Sequence, residues 1–466
     1  MGVRRKLARD TAVLTGAAIV MRCVGMAWQV WLAGRIGAAG LGLWQLVASV
    51  NVFTSTLAIS GIRFTTTRLV SEELGAGRDR GALRAVGRCL GYALFFGTAA
   101  FLVMHLGAEP IGFLWVRDAR TVKSLRLLAW TLPMISLSCV LNGSFVASGR
   151  AGVSAAVQLC EQLAAMAAVA ALMGRCAPGD LEGCCAAIAG GSVLADGFSL
   201  ALSAVLFLVL HRRGGLLQTE AARRGRRALR DAEDGDEAAA GGTASGAFDG
   251  ALTGRMLRLA FPLALSAYAR TGLTTLENLL VPRKLRSSGL SADSALAGYG
   301  VITGMVLPVV SFPSCLLGAV AELTVPLLTA DQVRMDFSRI RSRVRRLLLY
   351  ALAFSMACAA FLFLLAEPLG WVIYHTAEVG PYIRLFALIV PFLYCDIVID
   401  GCLKGLGQML WSMGFNVAEA AIGVVLILVL IPRYGLAGYI AVLFFSEIFN
   451  VTLSYWRLRK TVNAQK

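Results

Sequence analysis

The chain alternates between long apolar runs and short polar segments. Read with a window of about 19 residues, the length that suits a bilayer-crossing helix, the runs predict twelve spans. Six precede a long charged segment: 11–34, 42–68, 84–106, 122–147, 152–173 and 184–210. Six follow it: 256–281, 295–328, 344–366, 380–404, 411–432 and 435–457. The pattern therefore predicts an all-α polytopic membrane protein with two halves of six helices.

The segment between the two halves is the only long polar one. It carries a basic run at 223–227, acidic residues from Asp231 to Glu237 and then a stretch of Gly, Ala and Ser. Low apolar content with blocks of opposite charge predicts disorder. We therefore expect an N-terminal lobe over 1–211, a disordered cytoplasmic linker over 212–254 and a C-terminal lobe over 255–466.

An internal repeat relates the two halves. Glu109-Pro110-x-Gly112 recurs 258 positions later as Glu367-Pro368-x-Gly370. The same offset pairs Arg126 with Arg384, Pro133 with Pro391, Gly143 with Gly401, Gly149 with Gly407, and Glu161 with Glu419. An even number of spans per repeat makes both halves cross the membrane in the same direction, as two parallel repeats. A substrate site is then expected in a central cavity where the halves meet, near the membrane midplane.

Composition agrees with a membrane protein: 57% of residues are hydrophobic, 15% are charged and the mean hydropathy is +0.70. Soluble chains carry about a quarter charged residues. The net charge of +16 does not indicate nucleic-acid binding, because the basic residues lie mainly between spans, where they set topology and meet anionic lipids. Most of the 44 Lys and Arg residues fall in segments that face the cytoplasm if the N-terminus is inside. Both termini are therefore predicted to be cytoplasmic.

Eleven cysteines do not indicate a disulfide framework, because most of them lie inside spans, where Cys behaves as a small apolar residue. Cys176 lies close in sequence to Cys184 and Cys185, which leaves a single bridge open there. No CxxC pair and no metal-ligand spacing are present, so no metal or other cofactor is expected.

Three arginines lie five or more residues from either end of a predicted span, and they are the main candidates for function. Arg22 lies near the middle of the first span, and Arg270 follows it at an offset of 248 that also pairs Gln29 with Glu277. Arg63 lies in the second span. A guanidinium in the bilayer costs roughly 2.5–3.5 kcal/mol on insertion scales, and it binds phosphate oxygens bidentately. We interpret the three as a diphosphate-binding site, although each could instead snorkel or pair with an acid for structural reasons.

Acidic residues also lie inside the predicted spans. The main candidates for coupling to Na⁺ or H⁺, or for counter-ions to the arginines, are Glu277, Glu161, Glu419 and Asp196. Further intramembrane acids are Asp396, Asp400 and Glu447. Such residues suit ion coupling, but those paired by the repeat could hold helices together instead, and the sequence leaves both roles open.

Prolines and glycines predict where helices bend or turn. Bends are expected at Pro308, Pro313, Pro133, Pro391 and Pro262, because proline removes a helix hydrogen bond. The Gly-rich stretch from Arg35 to Gly42 predicts a turn between the first two spans.

An enzyme is not expected. The three histidines, His105, His211 and His375, lie far apart in sequence, and no HExxH, GxSxG or P-loop pattern is present.

Several of these features together resemble a known family. The basic N-terminus leads into the Arg22 span, which is followed by Gly40-Leu41-Gly42-Leu43-Trp44-Gln45-Leu46, by Ile59-Ser60-Gly61 and by Ser71-Glu72-Glu73. This order resembles the stage V sporulation protein B-like polysaccharide biosynthesis proteins of the multidrug/oligosaccharidyl-lipid/polysaccharide (MOP) exporter superfamily. The resemblance implies a MATE-like fold with two lobes around a V-shaped cavity, and alternating access for undecaprenyl-diphosphate-linked sugars.

The resemblance also implies roles for individual residues. Similar peptidoglycan-precursor flippases line their cavity with arginines from the first and second helices, positions that Arg22 and Arg63 match, and Arg270 would be the contribution of the C-terminal lobe. Many relatives carry two further C-terminal helices. This sequence reaches Lys466 directly after the twelfth span, which leaves open any lipid-tail groove that those helices would form.

The sequence therefore predicts a flippase in the bacterial cytoplasmic membrane for an undecaprenyl-diphosphate-linked sugar, either a peptidoglycan precursor or a polysaccharide repeat unit. Expected partners are this lipid-linked substrate, membrane lipids and cell-envelope synthesis proteins, with a role in sporulation or cell-wall assembly. One alternative is a cation-coupled exporter of small molecules or drugs from the same superfamily. An alternative of another class is an envelope-assembly scaffold that transports nothing.

Overall fold

The computed structural model describes residues 2–75, 78–177, 179–212, 245–333 and 335–464, and every regular element within them is helical. The first half contains α1 (Gly2–Ile59), α2 (Ile62–Gly75), α3 (Asp79–Leu106), α4 (Val122–Ala129), α5 (Thr131–Ala147), α6 (Ala151–Met173) and α7 (Leu181–Arg212). The second half contains α8 (Ser245–Ser287), α9 (Ala292–Gly300), α10 (Leu307–Ser311), α11 (Ser314–Val333), α12 (Phe337–Leu364), α13 (Ala366–Tyr374), α14 (Val379–Ala387), α15 (Val390–Gly405) and α16 (Met409–Ala464). Short π-helical segments occur at Ile111–Val116 and Val301–Val306.

The described helices agree with the predicted spans. Among the described residues, 8 helical segments are long and apolar enough to cross a membrane, or 9 when α14 and α15 are taken as one bent span. Two of these, Val20–Leu74 and Met409–Asn463, are 55 residues long, more than twice the length of about 20 residues that one crossing needs. Kinks at Gly37 and Gly435 divide them, and α8 supplies the remaining predicted span. The predicted all-α polytopic membrane fold is confirmed.

Three details differ from the sequence predictions. The expected turn from Arg35 to Gly42 is a break at one residue, Gly37, whose φ of 66° lies in the left-handed region that glycine adopts most easily. The predicted second span is interrupted at Ser60 and Gly61. Helix α8 begins at Ser245, inside the stretch assigned to the linker, and the rest of that linker, 213–244, lies outside the described residues.

Most of the predicted proline bends are present. Helices α14 and α15 are bent by 53° just before Pro391, and α4 ends just before Pro133, with Trp130 between α4 and α5. Helix α11 begins after Pro313, and Pro308 follows a π-helical segment. These positions fit the loss of a backbone donor at proline. Pro262 differs, because α8 continues past it.

Repeated local geometry supports the internal duplication. An ion pair of 2.5 Å joins Arg126 to Glu109, and one of 3.1 Å joins their repeat mates Arg384 and Glu367. Equivalent backbone features recur in pairs: φ is 58° at Arg117 and 54° at His375, and 70° at both Gly149 and Gly407. Side chains and backbone thus repeat at the offset that the sequence predicts.

The chain forms two compact units, and each is described by itself. One, called here the continuous unit, is Val50–Thr271. The other, called the two-part unit, joins Met1–Ser49 with Gly272–Lys466. The lobe boundaries predicted from the repeat, at 211 and 255, stay a prediction.

Close packing in each unit depends on small side chains. In the continuous unit, Ile62, Leu69 and Val70 of α2 pack on α3. The face of α3 that receives them consists of Ala82, Ala85, Cys89 and Ala93. In the two-part unit, a Cβ on Gly401 of α15 would come within 2.8 Å of Ala321 in α11. Small residues let helix backbones approach closely, which is the main source of attraction between helices in lipid.

Candidate functional site

The three predicted arginines are divided between the two units. Arg22 lies on α1 in the two-part unit, whereas Arg63 on α2 and Arg270 on α8 lie in the continuous unit. All three side chains are exposed. The predicted meeting of Arg22 with the other two stays a prediction, but Arg63 and Arg270 can be related within one unit.

A break in the second span organises the surroundings of Arg63. Helix α1 ends at Ile59 and α2 begins at Ile62, and the residues between them have positive φ, 44° at Ser60 and 71° at Gly61. A φ in this region is uncommon for serine. The break interrupts the backbone hydrogen-bond ladder in the middle of an apolar segment, where each unsatisfied backbone group costs several kcal/mol. Side chains from neighbouring helices are therefore needed there.

Two tyrosines supply those contacts. The Tyr268 hydroxyl on α8 lies 2.6 Å from Ser60 Oγ and donates to the Leu57 carbonyl at 3.4 Å. The Tyr92 hydroxyl on α3 lies 2.8 Å from the same Ser60 Oγ and donates to the Ser60 carbonyl at 3.3 Å. Three helices thus meet at one hydroxyl cluster, formed by Ser60, Tyr92 and Tyr268.

This hydroxyl cluster links the two arginines of the continuous unit. Arg63 follows Ser60 by three residues in the sequence. Arg270 follows Tyr268 by two residues on α8, and two residues correspond to about 3 Å of helix rise. The break therefore fixes the axial position of both arginine-bearing helices relative to one point. The sequence indicated it only through the Ser-Gly pair inside an apolar run, and nothing in the sequence singled out Tyr92 or Tyr268.

The predicted acids form two separate clusters. In the continuous unit, Glu161 on α6 accepts a hydrogen bond of 2.5 Å from Ser199 on α7, whose side chain is buried. Asp196, one turn before Ser199, interacts electrostatically with Glu161. Two of the four candidates, Glu161 and Asp196, are therefore neighbours at membrane depth.

The other two candidates meet in the two-part unit. Glu277 on α8 interacts electrostatically with Glu419 on α16, and its carboxylate lies directly over Gly423, where an added Cβ would overlap it. Glu447 interacts electrostatically with Glu419 and with Asp396 on α15. This unit therefore holds four carboxylates in one connected group.

Two amides complete the second cluster, and the sequence analysis missed both. Asn450 Nδ2 donates to Asp396 Oδ2 at 3.3 Å and to Asn416 Oδ1 at 3.2 Å, which joins the two arms of α16 to each other and the second arm to α15. Asn450 is buried. A signal was present in the sequence, because an Asn inside an apolar span is expensive unless it is paired.

Gln29, which the offset of 248 pairs with Glu277, also forms a hydrogen bond to a backbone carbonyl. Its Nε2 donates to the carbonyl of Gly304 at 3.2 Å, within the π-helical segment. Like Tyr92 and Tyr268, it satisfies backbone where a span departs from regular helix.

The described residues form neither a metal site nor a disulfide. No group of three or more His, Cys, Asp or Glu side chains in the described part of the chain is arranged to hold a metal ion. Cys176, Cys184 and Cys185 are free thiols.

Comparison with known proteins gives the context of these sites. The model of the family described as MatE matches residues 16–170 and 285–429, one stretch in each half. The chain is 21% identical over 435 residues to Stage V sporulation protein B of Bacillus subtilis (strain 168), and the match covers 92% of this chain and 79% of that protein.

Solved structures share the fold. One is an inward-facing conformation of a multidrug resistance MATE family transporter of the MOP superfamily, with a TM-score of 0.72 and 14% identity over 97% of this chain and 98% of that one. Another is the MATE multidrug transporter DinF-BH, with a TM-score of 0.66 and 16% identity over 98% of this chain and 95% of that one. At these identities the likeness concerns the fold alone.

Proposed function

We propose that this chain, which belongs to the MatE family of membrane transporters, moves a lipid-linked sugar diphosphate across the cytoplasmic membrane. Family membership confirms the predicted resemblance and makes the protein a transporter rather than an enzyme. The choice of cargo is the proposed part. The undecaprenyl carrier, the envelope-synthesis partners and the cytoplasmic position of both termini belong to the same proposal.

The observation that carries the proposal is the pair of arginines at the hydroxyl cluster. Arg63 and Arg270 are held on helices that Ser60 and Tyr268 join at 2.6 Å, so their backbones are fixed relative to each other. A guanidinium keeps its charge at any physiological pH and grips two phosphate oxygens at once. Two guanidiniums carried on such helices suit a diphosphate better than a single charge.

The number of arginine charges also affects how the cargo is released. A transporter must unload its cargo, so several moderate contacts serve better than one tight site. Three exposed arginines, Arg22, Arg63 and Arg270, divide the attraction among separate helices. Alternating access would lower the affinity on the outer side by changing how many of these contacts a bound diphosphate keeps.

Ion coupling is proposed for the two acid clusters. Neighbouring carboxylates at low dielectric repel each other strongly unless a proton or a cation lies between them. Glu161 with Asp196, and Glu277 with Glu419, are such neighbours. Each pair is a candidate place for Na⁺ or H⁺ to bind in one conformation and leave in another.

A second candidate function is export of small molecules or drugs. The fold is shared with a MATE multidrug transporter, and the acid clusters suit a cation-coupled exporter. Against this, three arginines inside the spans disfavour a cationic passenger. An envelope-assembly scaffold remains only as an outcome of the test below.

The test reconstitutes the full chain in liposomes with a fluorescent undecaprenyl-diphosphate sugar and measures its movement between leaflets. Arg63→Gln and Arg270→Gln are each expected to reduce the rate tenfold or more, a loss of about 1.4 kcal/mol per tenfold. Lysine at either position should recover part of the rate, because it keeps charge without the guanidinium fork. Arg126→Gln, which alters an exposed ion pair near the end of a span, is the matched control.

The alternatives give different results. Transport of a fluorescent cationic dye by the wild type, with no movement of the lipid-linked sugar, would establish the drug exporter. Movement of neither compound would favour the scaffold. Wild-type rates for the Arg63→Gln/Arg270→Gln double variant would refute the assignment of these arginines to the cargo.

A further inference from the structure

A large apolar groove lies in the two-part unit; Pro391 lines it, but none of the candidate arginines and acids does. Its walls come from α12, α14, α15 and α16, and its volume is about 1150 Å³. This volume is at the upper end of those of small-molecule binding sites, which are about 300–1,000 Å³. Along α12 its lining runs from Arg341 to Leu364, about 35 Å at 1.5 Å per residue. The groove therefore extends through nearly the whole hydrocarbon thickness of about 30 Å.

The walls are apolar along most of this length. Exposed hydrophobic side chains follow each other along the groove, including Leu352, Met356 and Phe363 of α12 and Phe392 of α15. Since these side chains face outward from the unit at membrane depth, hydrocarbon chains are the material that fits against them.

Only one end of the groove is charged. Arg341 and Arg345 of α12 and Arg459 of α16 line it there, on the side that the distribution of Lys and Arg predicts to be cytoplasmic. All three side chains are exposed. Three positive charges at the end of an apolar groove match a molecule with an anionic head and long apolar chains.

The three groove arginines differ from neighbouring arginines in their side-chain partners. Arg339 pairs with Asp336 at 3.4 Å, Arg343 pairs with Asp331 at 2.5 Å, and Arg457 donates to Gln408 at 2.6 Å. Within the described residues, the three groove arginines form no such ion pair. The helices therefore alternate between arginines engaged in the fold and arginines directed to the groove.

The internal repeat offers a second comparison. At the offset of 258, the counterparts of Arg341 and Arg345 in α3 are Leu83 and Gly87. The equivalent helix of the continuous unit thus has no charge at these two positions, and its basic residues Arg80, Arg84 and Arg88 match Ser338, Ser342 and Arg346 instead. The shared fold alone therefore does not place a charge at the positions of Arg341 and Arg345.

We propose that this groove is a binding site for an anionic phospholipid of the cytoplasmic leaflet, with its phosphate on Arg341, Arg345 and Arg459 and its acyl chains along α12 and α15. Basic pockets between membrane helices on the cytoplasmic side suit such headgroups. The lipid is a resident partner rather than cargo. The proposal therefore goes beyond the function proposed above: it rests on the same cytoplasmic orientation of the termini but not on the proposed cargo.

The test measures bound lipid without measuring transport. The full chain is exchanged into nanodiscs of phosphatidylglycerol or phosphatidylcholine, and the lipids that it retains on release are counted by native mass spectrometry. The wild type should retain phosphatidylglycerol at least tenfold more than phosphatidylcholine. The Arg341→Gln/Arg345→Gln/Arg459→Gln variant should lose this preference.

Two further variants make the test specific. Arg80→Gln/Arg84→Gln/Arg346→Gln removes the same number of charges from exposed arginines outside the groove, and it should keep the preference. Ala360→Trp, in the apolar wall, should reduce retention of phosphatidylglycerol with no change in charge. Equal retention of the two lipids by the wild type, an unaltered preference in the groove variant, or an equal loss in the control variant would each overturn the proposal.

Discussion

The two halves of this protein share a framework and differ in what they hold. Both keep the ion pair between a Glu-Pro-x-Gly glutamate and a later arginine, at 2.5 Å for Arg126 and 3.1 Å for Arg384. The continuous unit uses its polar groups to support a helix break beside Arg63 and Arg270. The two-part unit instead gathers four carboxylates and two amides. Duplication thus fixed the frame, and the polar side chains at membrane depth diverged.

This difference separates two kinds of polar site. Positive charge at the break in the continuous unit suits an anionic cargo, whereas the carboxylate clusters, a pair in the continuous unit and a group of four in the two-part unit, suit a cation. Comparing equivalent positions in the two halves is therefore the most direct way to test which side chains carry function and which only maintain the fold.

The largest expected effect concerns Gly423 in the two-part unit. A methyl group there would overlap the Glu277 carboxylate, so Gly423→Ala should lower the free energy of unfolding by about 1–3 kcal/mol despite its better helix propensity. The counterpart in the continuous unit is Ala165, and Ala165→Gly should cost no more than about 1 kcal/mol. Thermal unfolding in detergent measures both. A stabilised Gly423→Ala variant would contradict the packing of Glu277 described above.

The next effect concerns the hydroxyl cluster of the continuous unit. Tyr268→Phe removes the 2.6 Å contact with Ser60 Oγ and should cost about 1 kcal/mol in the free energy of unfolding. It should also reduce transport, since it loosens α8 next to Arg270. Tyr350→Phe, at a side chain 70% exposed on α12, is the control. Equal results for the two variants would mean that the cluster does not support the break.

The repeated ion pairs should matter less. Both are exposed, so Arg126→Gln and Arg384→Gln should each change the free energy of unfolding by less than about 1 kcal/mol. Arg384→Gln is expected to cost more, because that guanidinium also lies 5.7 Å from the centre of the Phe363 ring. Double-mutant cycles with Glu109→Gln and Glu367→Gln separate the ion pair from the ring contact. A larger total loss for Arg126→Gln than for Arg384→Gln would contradict this order.

The smallest effect is a pH dependence at the start of α12. The backbone N–H of Arg339 and the hydroxyl of Ser338 donate to Asp336 and lower the pKa of its carboxyl group. Because the pKa is lower in the folded state, this stabilisation is complete above the unfolded value of about 3.9. It is lost as the pH falls through the folded value.

Asp336→Asn tests this dependence, since it keeps the cap and removes the charge. Wild type should unfold at a higher temperature than the variant at pH 7, and the difference should shrink as the pH falls below about 3.9, as followed by circular dichroism. The counterpart at the start of α3 is Arg78, whose side chain does not cap that helix and pairs with Glu73 instead. A constant difference at all pH values would argue against the cap.

The sequence predicted much of the fold because lipid imposes strong rules on it. Spans could be recognised from hydropathy, and the duplication from a fixed offset that Arg126 and Arg384 share. The break at Ser60 could not be located in the same way, because it depends on whether hydroxyls from α3 and α8 can reach it. The candidate arginines and acids were visible as charges in apolar runs, but their neighbours Tyr92, Tyr268 and Asn450 were not.

The sequence by itself determined the number of spans and the presence of costly charges inside the membrane, because both depend on local hydropathy over the fixed thickness of the bilayer. It also determined the repeat, because the repeat is a fixed offset along the chain. Only the tertiary structure decided which polar groups share a cluster: Glu161 with Asp196, Glu277 with Glu419, and Tyr268 with Ser60. It also decided that three arginines from α12 and α16 lie at the end of one groove. Partners of this kind are far apart in the chain, so close packing between helices selects them rather than any local pattern.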